Sequence, residues 1–508
     1  MTSTLQKEKK CISIISFGSR GDIQPFIAMG IALSKKYKVR VLSRKGHKSF
    51  FERFGLKYVE ISTLDSEKIV RNNEGVRTSM MEGDASKLFQ AVGKLNRING
   101  KGLMENVIRE LNENPPDLFL IGSLCSYFGY YAKYVMKLKV MFINLSTTVY
   151  NYNHAPFGLK TKPFGLHYYD LLKVVASMHN PFKYFDEIAS TLGKPRLDSI
   201  ISLQEINQMH ERIITGRSST KTIYCQSSLF RDILFPNANP KVNCYIGPCI
   251  LDESQQMNFS NYDEKDFFGG IENIQKIDDF FQKDLKQVPI YMGWGSMLGN
   301  TPENMVLMAV EALIEAKERA IILGGYAELS MKVLERATSD PNILSYAKEK
   351  VLFVQKAAHE NLFPRVKCIV HHGGSGTTQV TLRSGVPSII TPVFVDQFDH
   401  SYVINKLQIG IGFNQSLKHI SAKDLASAIQ SVTKNNHDLI QRCKEVATYM
   451  RKENGNQAMI EVVDHVLEND TVQISKNQVN KKLIAPEILA TSISVAILSI
   501  ISYLITTK

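Results

Sequence analysis

A glycine-rich turn between an apolar strand and a helix is the part of this sequence whose residues best suit chemistry. It reads HHGGSGTTQ, from His371 to Gln379, and follows the apolar stretch CIV. Glycines allow a backbone to approach a ligand closely, and the N–H groups near Ser375, Gly376 and Thr377 would be the unpaired donors of a new helix. Such donors bind anions, so the segment predicts a diphosphate site. An ordinary tight turn is the alternative interpretation.

A carboxylate, Asp22, follows the first apolar strand, at the end of the loop GSRGD. The carboxyl end of a parallel strand faces a ligand crevice, and a carboxylate placed there can remove a proton from an attacking alcohol. An acidic residue that complements a helix dipole is the alternative. The loop does not have GxGxxG spacing, so no dinucleotide site is predicted. The sequence also has no Asp-x-Asp that could hold a metal on a diphosphate.

Short apolar runs alternate with helical stretches along the chain. Continuous apolar strands are typical of parallel sheets covered on both faces, so we predict an α/β protein with two Rossmann-like, doubly wound domains facing a cleft. Because proline is favoured in a first helical turn, the helix after the first strand is predicted to open at Pro25. The predicted strands cover 11–17, 38–44, 117–123, 140–146, 222–227, 243–247, 289–296, 320–325, 350–354, 368–372 and 388–392.

Composition and pattern also predict the domain boundaries. The predicted segments are a polar start (1–10), an N-terminal domain (11–248), a linker (249–286), a C-terminal domain (287–456), a helix returning to the first domain (457–470) and a tail (471–508). The uncharged run 488–505 within the tail is long enough for a transmembrane helix. A soluble interaction helix is its alternative. Lysines before the run predict that both domains lie on the cytosolic side.

Charge and cysteine content narrow the class of protein. The 508 residues carry a net charge of +12 and are 44% hydrophobic, which excludes a disordered chain. All of the positive excess lies within 1–245, which indicates a membrane surface, a nucleic acid or only a solubility bias. The seven scattered cysteines include no CxxC pair, so a zinc site is not predicted and a reducing compartment fits best.

Several blocks of the sequence resemble one family. HHGGSGTT, GVPSIITP and DQ, all between His371 and Gln397, resemble the donor-binding signature of UDP-glycosyltransferases, with the nearest likeness to their sterol and lipid glucosyltransferase branch. GSRGD, GWGSM (293–297) and AAHENLFPRV (357–366) resemble further blocks of that branch. The resemblance covers about 11–460 and implies the two-domain GT-B fold, with a C-terminal hydrophobic helix left outside it.

The resemblance also implies roles for individual residues. Asp22 would be the catalytic base, Asp396 and Gln397 would hold the hexose, and Gln379 would meet the ribose, where many members have Glu. His359 would face the uracil, with a packing histidine as the alternative. The residues implied to surround the diphosphate are Gly295, Ser296, His371, Gly374, Ser375, Gly376 and Thr377.

An aromatic-rich stretch over 150–190 is the predicted acceptor region. An apolar, aromatic pocket suits a lipid alcohol, whereas packing inside the core is the alternative. The candidate pocket residues are Tyr150, Phe157, Tyr168 and Tyr169.

The residues and the resemblance together indicate metal-independent transfer of a hexose, such as glucose, from UDP to a sterol or other lipid alcohol. Inversion at the anomeric carbon is implied by the resemblance alone. The expected partners are the UDP-sugar, the lipid acceptor and a membrane surface, with no cofactor and no nucleic acid. The predicted location is the cytoplasmic face of a membrane, tail-anchored, or otherwise the cytoplasm. A transferase acting on a soluble small molecule, a nucleotide-sugar epimerase and a non-catalytic nucleotide-sugar-binding relative remain as alternatives.

Overall fold

A computed structural model describes residues 8–65, 68–69, 72–146, 183–201, 222–234, 243–257, 268–393, 396–434 and 436–468. Two of the predictions made above lie outside these residues. The four aromatic acceptor candidates fall within 147–182, and the candidate membrane span falls within the tail. Among the helices that the structure describes, none is long and apolar enough to cross a membrane.

Seven of the described strands form one parallel sheet in the N-terminal part of the chain, in the order β3-β2-β1-β4-β5-β6-β7. Both faces of this sheet are covered, which explains why strand residues such as Ile12 and Ile14 are apolar and fully buried. The strands are β1 (Cys11–Ile15), β2 (Lys38–Arg44), β3 (Lys57–Ser62), β4 (Leu118–Gly122), β5 (Val140–Asn144), β6 (Thr222–Tyr224) and β7 (Asn243–Tyr245).

A second parallel sheet follows, in the order β10-β9-β8-β11-β12-β13 among the described strands. In both sheets the strand order reverses beside the first strand, between β1 and β4 and between β8 and β11. Ligands of open α/β sheets bind at the carboxyl ends of strands beside such a reversal. The strands are β8 (Ile290–Gly293), β9 (Ala320–Leu323), β10 (Val351–Val354), β11 (Ile369–His371), β12 (Ser388–Ile390) and β13 (Gly410–Gly412).

Helices connect these parallel strands. Those described before the second sheet are α1 (Arg20–Ser34), α2 (Lys48–Arg53), α3 (Glu74–Glu82), α4 (Ala85–Glu113), α5 (Ser126–Tyr134), α6 (Lys183–Thr191), α7 (Ser228–Leu234), α8 (Glu253–Gln256) and α9 (Gly270–Lys283). Those described after β8 are α10 (Pro302–Ala316), α11 (Met331–Ala337), α12 (Pro341–Lys350), α13 (His359–Leu362), α14 (Ser375–Ser384), α15 (Gln397–Leu407), α16 (Ala422–Thr433), α17 (His437–Lys452) and α18 (Gly455–Glu468).

The prediction of an α/β protein with two doubly wound sheets is confirmed, and each predicted strand is present. Two strands, β3 and β13, were not predicted. The start predicted for α1 was wrong, because the helix begins at Arg20 and Pro25 lies inside it. Ser19 precedes the helix, and the Asp22 carboxylate accepts hydrogen bonds from its backbone N–H at 2.7 Å and its hydroxyl at 2.9 Å. This reciprocal contact starts the helix within GSRGD.

The last described helix, α18, completes the core of the first domain, where a returning helix was predicted over 457–470. Met459, Val463 and Leu467 are buried in the same hydrophobic cluster as the β1 and α1 side chains. Asp464 on this helix accepts a hydrogen bond from the Tyr37 hydroxyl and pairs with Lys36 at 2.7 Å. The N-terminal core therefore depends on a segment that follows the second sheet in sequence.

We predict that Met459→Ala lowers the free energy of unfolding by about 2–5 kcal/mol, because it leaves a cavity in a packed core. Chemical denaturation measures this change. Glu461→Ala, at an exposed position of the same helix, is the matched control and should change it by no more than about 0.5 kcal/mol. Equal effects from both substitutions would show that α18 does not support this core.

Candidate active site

The glycine-rich turn joins the end of β11 to the start of α14. Gly373 has a φ of +88°, a conformation that glycine adopts readily. The Thr378 N–H already donates to the Gly374 carbonyl at 2.9 Å. The preceding N–H groups, those of Ser375, Gly376 and Thr377, are first-turn donors without an intrahelical acceptor. The structure therefore places these donors beside the strand reversal, as an anion site requires.

The two histidines that open the turn differ in their surroundings. His371 is fully buried, and both ring nitrogens have partners inside the domain. Its Nδ1 accepts from the Gly373 N–H at 3.1 Å, and its Nε2 lies 3.0 Å from the Ser388 hydroxyl. The role of His371 in holding the diphosphate stays a prediction, and in this structure both of its ring nitrogens have partners inside the domain.

His372, which the sequence analysis did not single out, is the second candidate at this turn. Its Nδ1 is buried and has no hydrogen-bond partner among the described residues. The ring lies between two glycines, where added Cβ atoms would come within 3.1 Å of it at Gly295 and 2.4 Å at Gly374. The sequence carries no strand pattern that could have identified it, because β11 ends at His371 and His372 follows it.

The charge state of this region is set by burial. Burial, reinforced by neighbouring histidines, holds the pKa of His371 well below its usual range. Burial and the nearby His400 lower the pKa of His372 to about 4, against a hydrogen bond involving the Gly293 backbone. His371 and His372 are therefore neutral near pH 7, and a neutral imidazole can still donate one N–H.

The loop after β8 lies beside the glycine-rich turn in the crevice at the strand reversal, because β8 and β11 are neighbouring strands. Gly295 has a φ of +58°, and its carbonyl accepts from the Tyr326 N–H at 2.8 Å. Trp294 is almost fully buried, and its indole N–H donates to the Thr391 hydroxyl at 2.9 Å. These contacts fix the loop, so that Gly295 and the partly buried Ser296 lie at the carboxyl end of β8, next to β11.

The residues predicted to hold the hexose lie after β12. Asp396 accepts a hydrogen bond from the Ser146 hydroxyl, which lies just beyond β5 in the first domain. Gln397 is buried, and its side-chain oxygen accepts from the Val393 N–H at 2.7 Å. Asp396 therefore lies where the domains meet, while part of the Gln397 amide stabilises its own turn.

Two further donor-site candidates also contact the first domain. The Ser375 hydroxyl donates to the Leu145 carbonyl and accepts from the Gln226 amide at 3.0 Å. Gln379 is buried, and both ends of its amide bind backbone groups that follow β6. A ribose contact by Gln379 stays a prediction, because in this structure the amide is occupied by protein.

Asp22 is partly buried at the end of β1, on the first-domain side of the same meeting point. Only Oδ2 bonds Ser19, and Oδ1 has no hydrogen-bond partner in the described part of the chain. Burial raises the pKa of Asp22, the bonds from Ser19 oppose the shift, and the Asp396 charge adds to it. Gly18 lies so close that a Cβ there would sit 2.4 Å from Oδ2.

His359 begins α13 beyond the end of β10. Its Nε2 lies 3.1 Å from the Tyr291 hydroxyl, and its ring stacks on Phe363 with centroids 4.5 Å apart. Burial, followed by the Arg20 charge, lowers the pKa of His359 to about 3. The ring is thus a neutral, partly exposed surface near the crevice. Its contact with the uracil of the donor stays a prediction.

The structure therefore brings most of the predicted site residues to one interdomain crevice. Asp22 comes from the first domain, and the others from the ends of β8, β10, β11 and β12. Among the residues described here, no group of three or more histidine, cysteine, aspartate or glutamate side chains could hold a metal ion.

The sequence is similar to one family model and to curated glucosyltransferases. Residues 324–469 match the family model described as "Erythromycin biosynthesis protein CIII-like, C-terminal domain". The chain is 27% identical over 474 residues to a sterol 3-beta-glucosyltransferase of Pichia angusta, covering 90% of this chain and 33% of that protein. It is 25% identical to the Saccharomyces cerevisiae (strain YJM789) protein of the same name, covering 92% and 36%. The chain spans about a third of the length of these curated relatives.

Solved structures share the fold at low sequence identity. The glycotransferase of kitacinnamycin superposes with a TM-score of 0.58 at 14% identity, over 90% of this chain and 99% of that one. The calicheamicin glycosyltransferase CalG4 superposes with a TM-score of 0.57 at 11% identity, over 91% and 99%. These likenesses confirm the GT-B fold, and the curated relatives agree with the glycosyltransferase resemblance of the sequence.

Proposed function

We propose that this chain, a glycosyltransferase-family protein with the GT-B fold, transfers a hexose from a UDP-sugar to a sterol or other lipid alcohol. One observation carries the proposal. Asp396 of the second domain accepts a hydrogen bond from Ser146, just beyond β5 of the first sheet, and the carboxylate Asp22 lies at the end of β1 in that same sheet. Asp396 belongs to the same domain as the anion-binding turn, so a base and a donor site face one crevice.

The chemistry follows from these positions. Asp22 Oδ1 accepts the proton of the acceptor hydroxyl as its oxygen bonds to the anomeric carbon. The bond from that carbon to the diphosphate breaks, and UDP leaves with the electron pair. The free amides at the start of α14 stabilise the growing negative charge, and His372 adds one N–H in the neutral tautomer that carries its proton on Nδ1. Attack from the face opposite UDP inverts the anomeric configuration.

The substrates are proposed from two supports. The curated relatives carry the name sterol 3-beta-glucosyltransferase, which favours glucose and a sterol. Asp396, bonded to Ser146 of the first domain, is positioned between the domains, where a hexose attached to the diphosphate would lie. A carboxylate accepts hydrogen bonds from sugar hydroxyls.

We predict that Asp22→Asn lowers sterol glucosylation by UDP-glucose at least about 100-fold, because the amide cannot take the acceptor proton. The raised pKa means that the wild type loses activity as the pH falls through that value, since only the carboxylate is a base. A pH series of initial rates with both proteins measures these effects.

Calorimetry with UDP is the control for this variant. The amide that replaces the carboxylate keeps an oxygen for Ser19, so UDP affinity should stay within about threefold, because the base contacts the acceptor rather than the nucleotide. Near-normal turnover by the variant would remove Asp22 from the mechanism. An equal loss of UDP binding would assign it to the donor site.

We further predict opposite results for the two neighbouring histidines. His372→Ala should raise the Kd for UDP about tenfold or more, because a hydrogen bond to a charged group is lost. His371→Ala should lower the melting temperature, because buried contacts with Ser388 and Gly373 are lost, yet the folded protein should bind UDP nearly as well. Calorimetry and thermal melts distinguish the two, and the reverse pattern would assign the diphosphate contact to His371.

We also propose that the N-terminal domain docks on an anionic cytoplasmic membrane face. Lys87, Lys94 and Lys101 are exposed and seven residues apart on α4, which places them on one face of the helix. Lys87 pairs with Glu82 at 2.8 Å, so Lys94 and Lys101 carry the argument. Lysines near a phosphatidylserine-rich surface each contribute about 1 kcal/mol.

Sedimentation with vesicles tests the docking. We predict that Lys94→Glu/Lys101→Glu lowers binding to phosphatidylserine vesicles about tenfold or more, with no change on phosphatidylcholine vesicles. The control is Lys332→Glu/Lys423→Glu, the same charge change at two sites of the other domain. Equal losses from both pairs would mean that only net charge matters.

A further inference from the structure

A buried amide joins the anion-binding helix to the other domain. Gln379 lies on α14 with 4% of its surface exposed. Its Oε1 accepts from the Ser227 N–H at 3.0 Å, and its Nε2 donates to the Cys225 carbonyl at 3.1 Å. One side chain thus satisfies a donor and an acceptor of the same backbone segment, as a neighbouring strand would.

The segment that Gln379 binds is itself fixed in the first domain. The Cys225 N–H donates to the Asn144 carbonyl at 2.8 Å, and the Gln226 carbonyl accepts from the Gly247 N–H at 3.1 Å. The Gln226 side chain is fully buried and lies 3.0 Å from the Ser375 hydroxyl and 3.2 Å from His400 Nε2. Gln379 therefore contacts a rigid extension of β6.

His400 continues the same network into the donor-site turn. Because the Gln226 amide nitrogen is a donor, His400 Nε2 accepts, and its Nδ1–H then donates to the Gly373 carbonyl. The backbone of the glycine-rich turn and the start of α14 are thus bonded, through side chains, to the strand ends of the first domain. The base, Asp22, belongs to that same domain.

We propose that Gln379 is a positioning residue that fixes the anion-binding start of α14 relative to the acceptor domain, instead of a ribose ligand. This inference rests on the proposed function for its catalytic meaning. With both amide groups bound to backbone, α14 keeps one orientation towards Asp22, so that a bound donor faces the base. Any separation of the two domains at this point would break both bonds.

The chemistry of the side chain explains why an amide suits this position and a carboxylate does not. A glutamate side chain in place of Gln379 could accept from the Ser227 N–H, but its charged form offers the Cys225 carbonyl no donor and would be buried beside it. Its pKa would rise, because only the protonated form can donate to that carbonyl. A glutamate side chain would therefore make both hydrogen bonds below that raised pKa and would lose the bond to the Cys225 carbonyl above it.

Hydrogen exchange of the 225–230 backbone, without any nucleotide, tests the contact directly. We expect Gln379→Glu to exchange about tenfold faster than the wild type near pH 8 and to recover most of the difference near pH 5. Gln379→Met, similar in length but without hydrogen-bonding groups, should exchange faster at both pH values. Wild-type protection in both variants would overturn the proposal.

Kinetics then distinguish positioning from ribose binding. Gln379→Glu should lower kcat for transfer about tenfold near pH 8, recovering towards acid, while the Kd for UDP changes less than about threefold. Gln408→Glu, a glutamine of the same domain that lies just after α15, is the control and should match the wild type. Tighter UDP binding by Gln379→Glu with unchanged exchange would instead assign a ribose ligand.

If no sugar transfer is found, the interdomain contact of Gln379 can still be tested separately from the transferase activity. The exchange result requires no substrate, so fast exchange in a chain that transfers no sugar would keep the interdomain contact and reject the activity. Conversely, active Gln379→Met with normal kcat would reject the positioning role and leave the activity intact.

Discussion

The hydrogen bonds between the start of α14 and the strand ends of the first domain are the constraint on which the site depends. Ser375, Gln379 and Asp396 all belong to the second domain, and each has a partner from the first. Without these contacts the anion-binding turn and Asp22 would be two half-sites on separate sheets. With them, the N–H groups at the start of α14 and the Asp22 carboxylate lie in one crevice, as the proposed transfer requires.

The parts of this arrangement that depend on local pattern could be predicted from the sequence. Apolar strands ending in glycine-rich or acidic loops predicted both sheets and placed Asp22 and the turn at carboxyl ends. There are physical reasons why two strands were not predicted. β3 is more exposed than its neighbours and lies at a sheet edge, and β13 has only three residues, two of them glycine.

The parts that depend on contacts between distant residues could not be predicted. The hydrogen-bond partners of the Gln379 amide are Ser227 and Cys225, which lie more than 150 residues away in the sequence. The difference between His371 and His372 also depends on a distant residue. Ser388, in a neighbouring strand, bonds Nε2 of His371. Nδ1 of His372 has no hydrogen-bond partner among the described residues. The helix α1 begins earlier than predicted, because a reciprocal Ser19–Asp22 contact outweighs the usual preference for proline near a helix start.

One measurement tests the central claim most directly. The full chain is incubated with UDP-glucose labelled in the sugar and a membrane lipid extract, and the label is followed into the organic phase. The account predicts a labelled sterol glucoside, or another lipid glucoside, with inverted configuration and one UDP released per glucose transferred. Label that stays in UDP-glucose, or appears only as free glucose or a water-soluble glycoside, would contradict it.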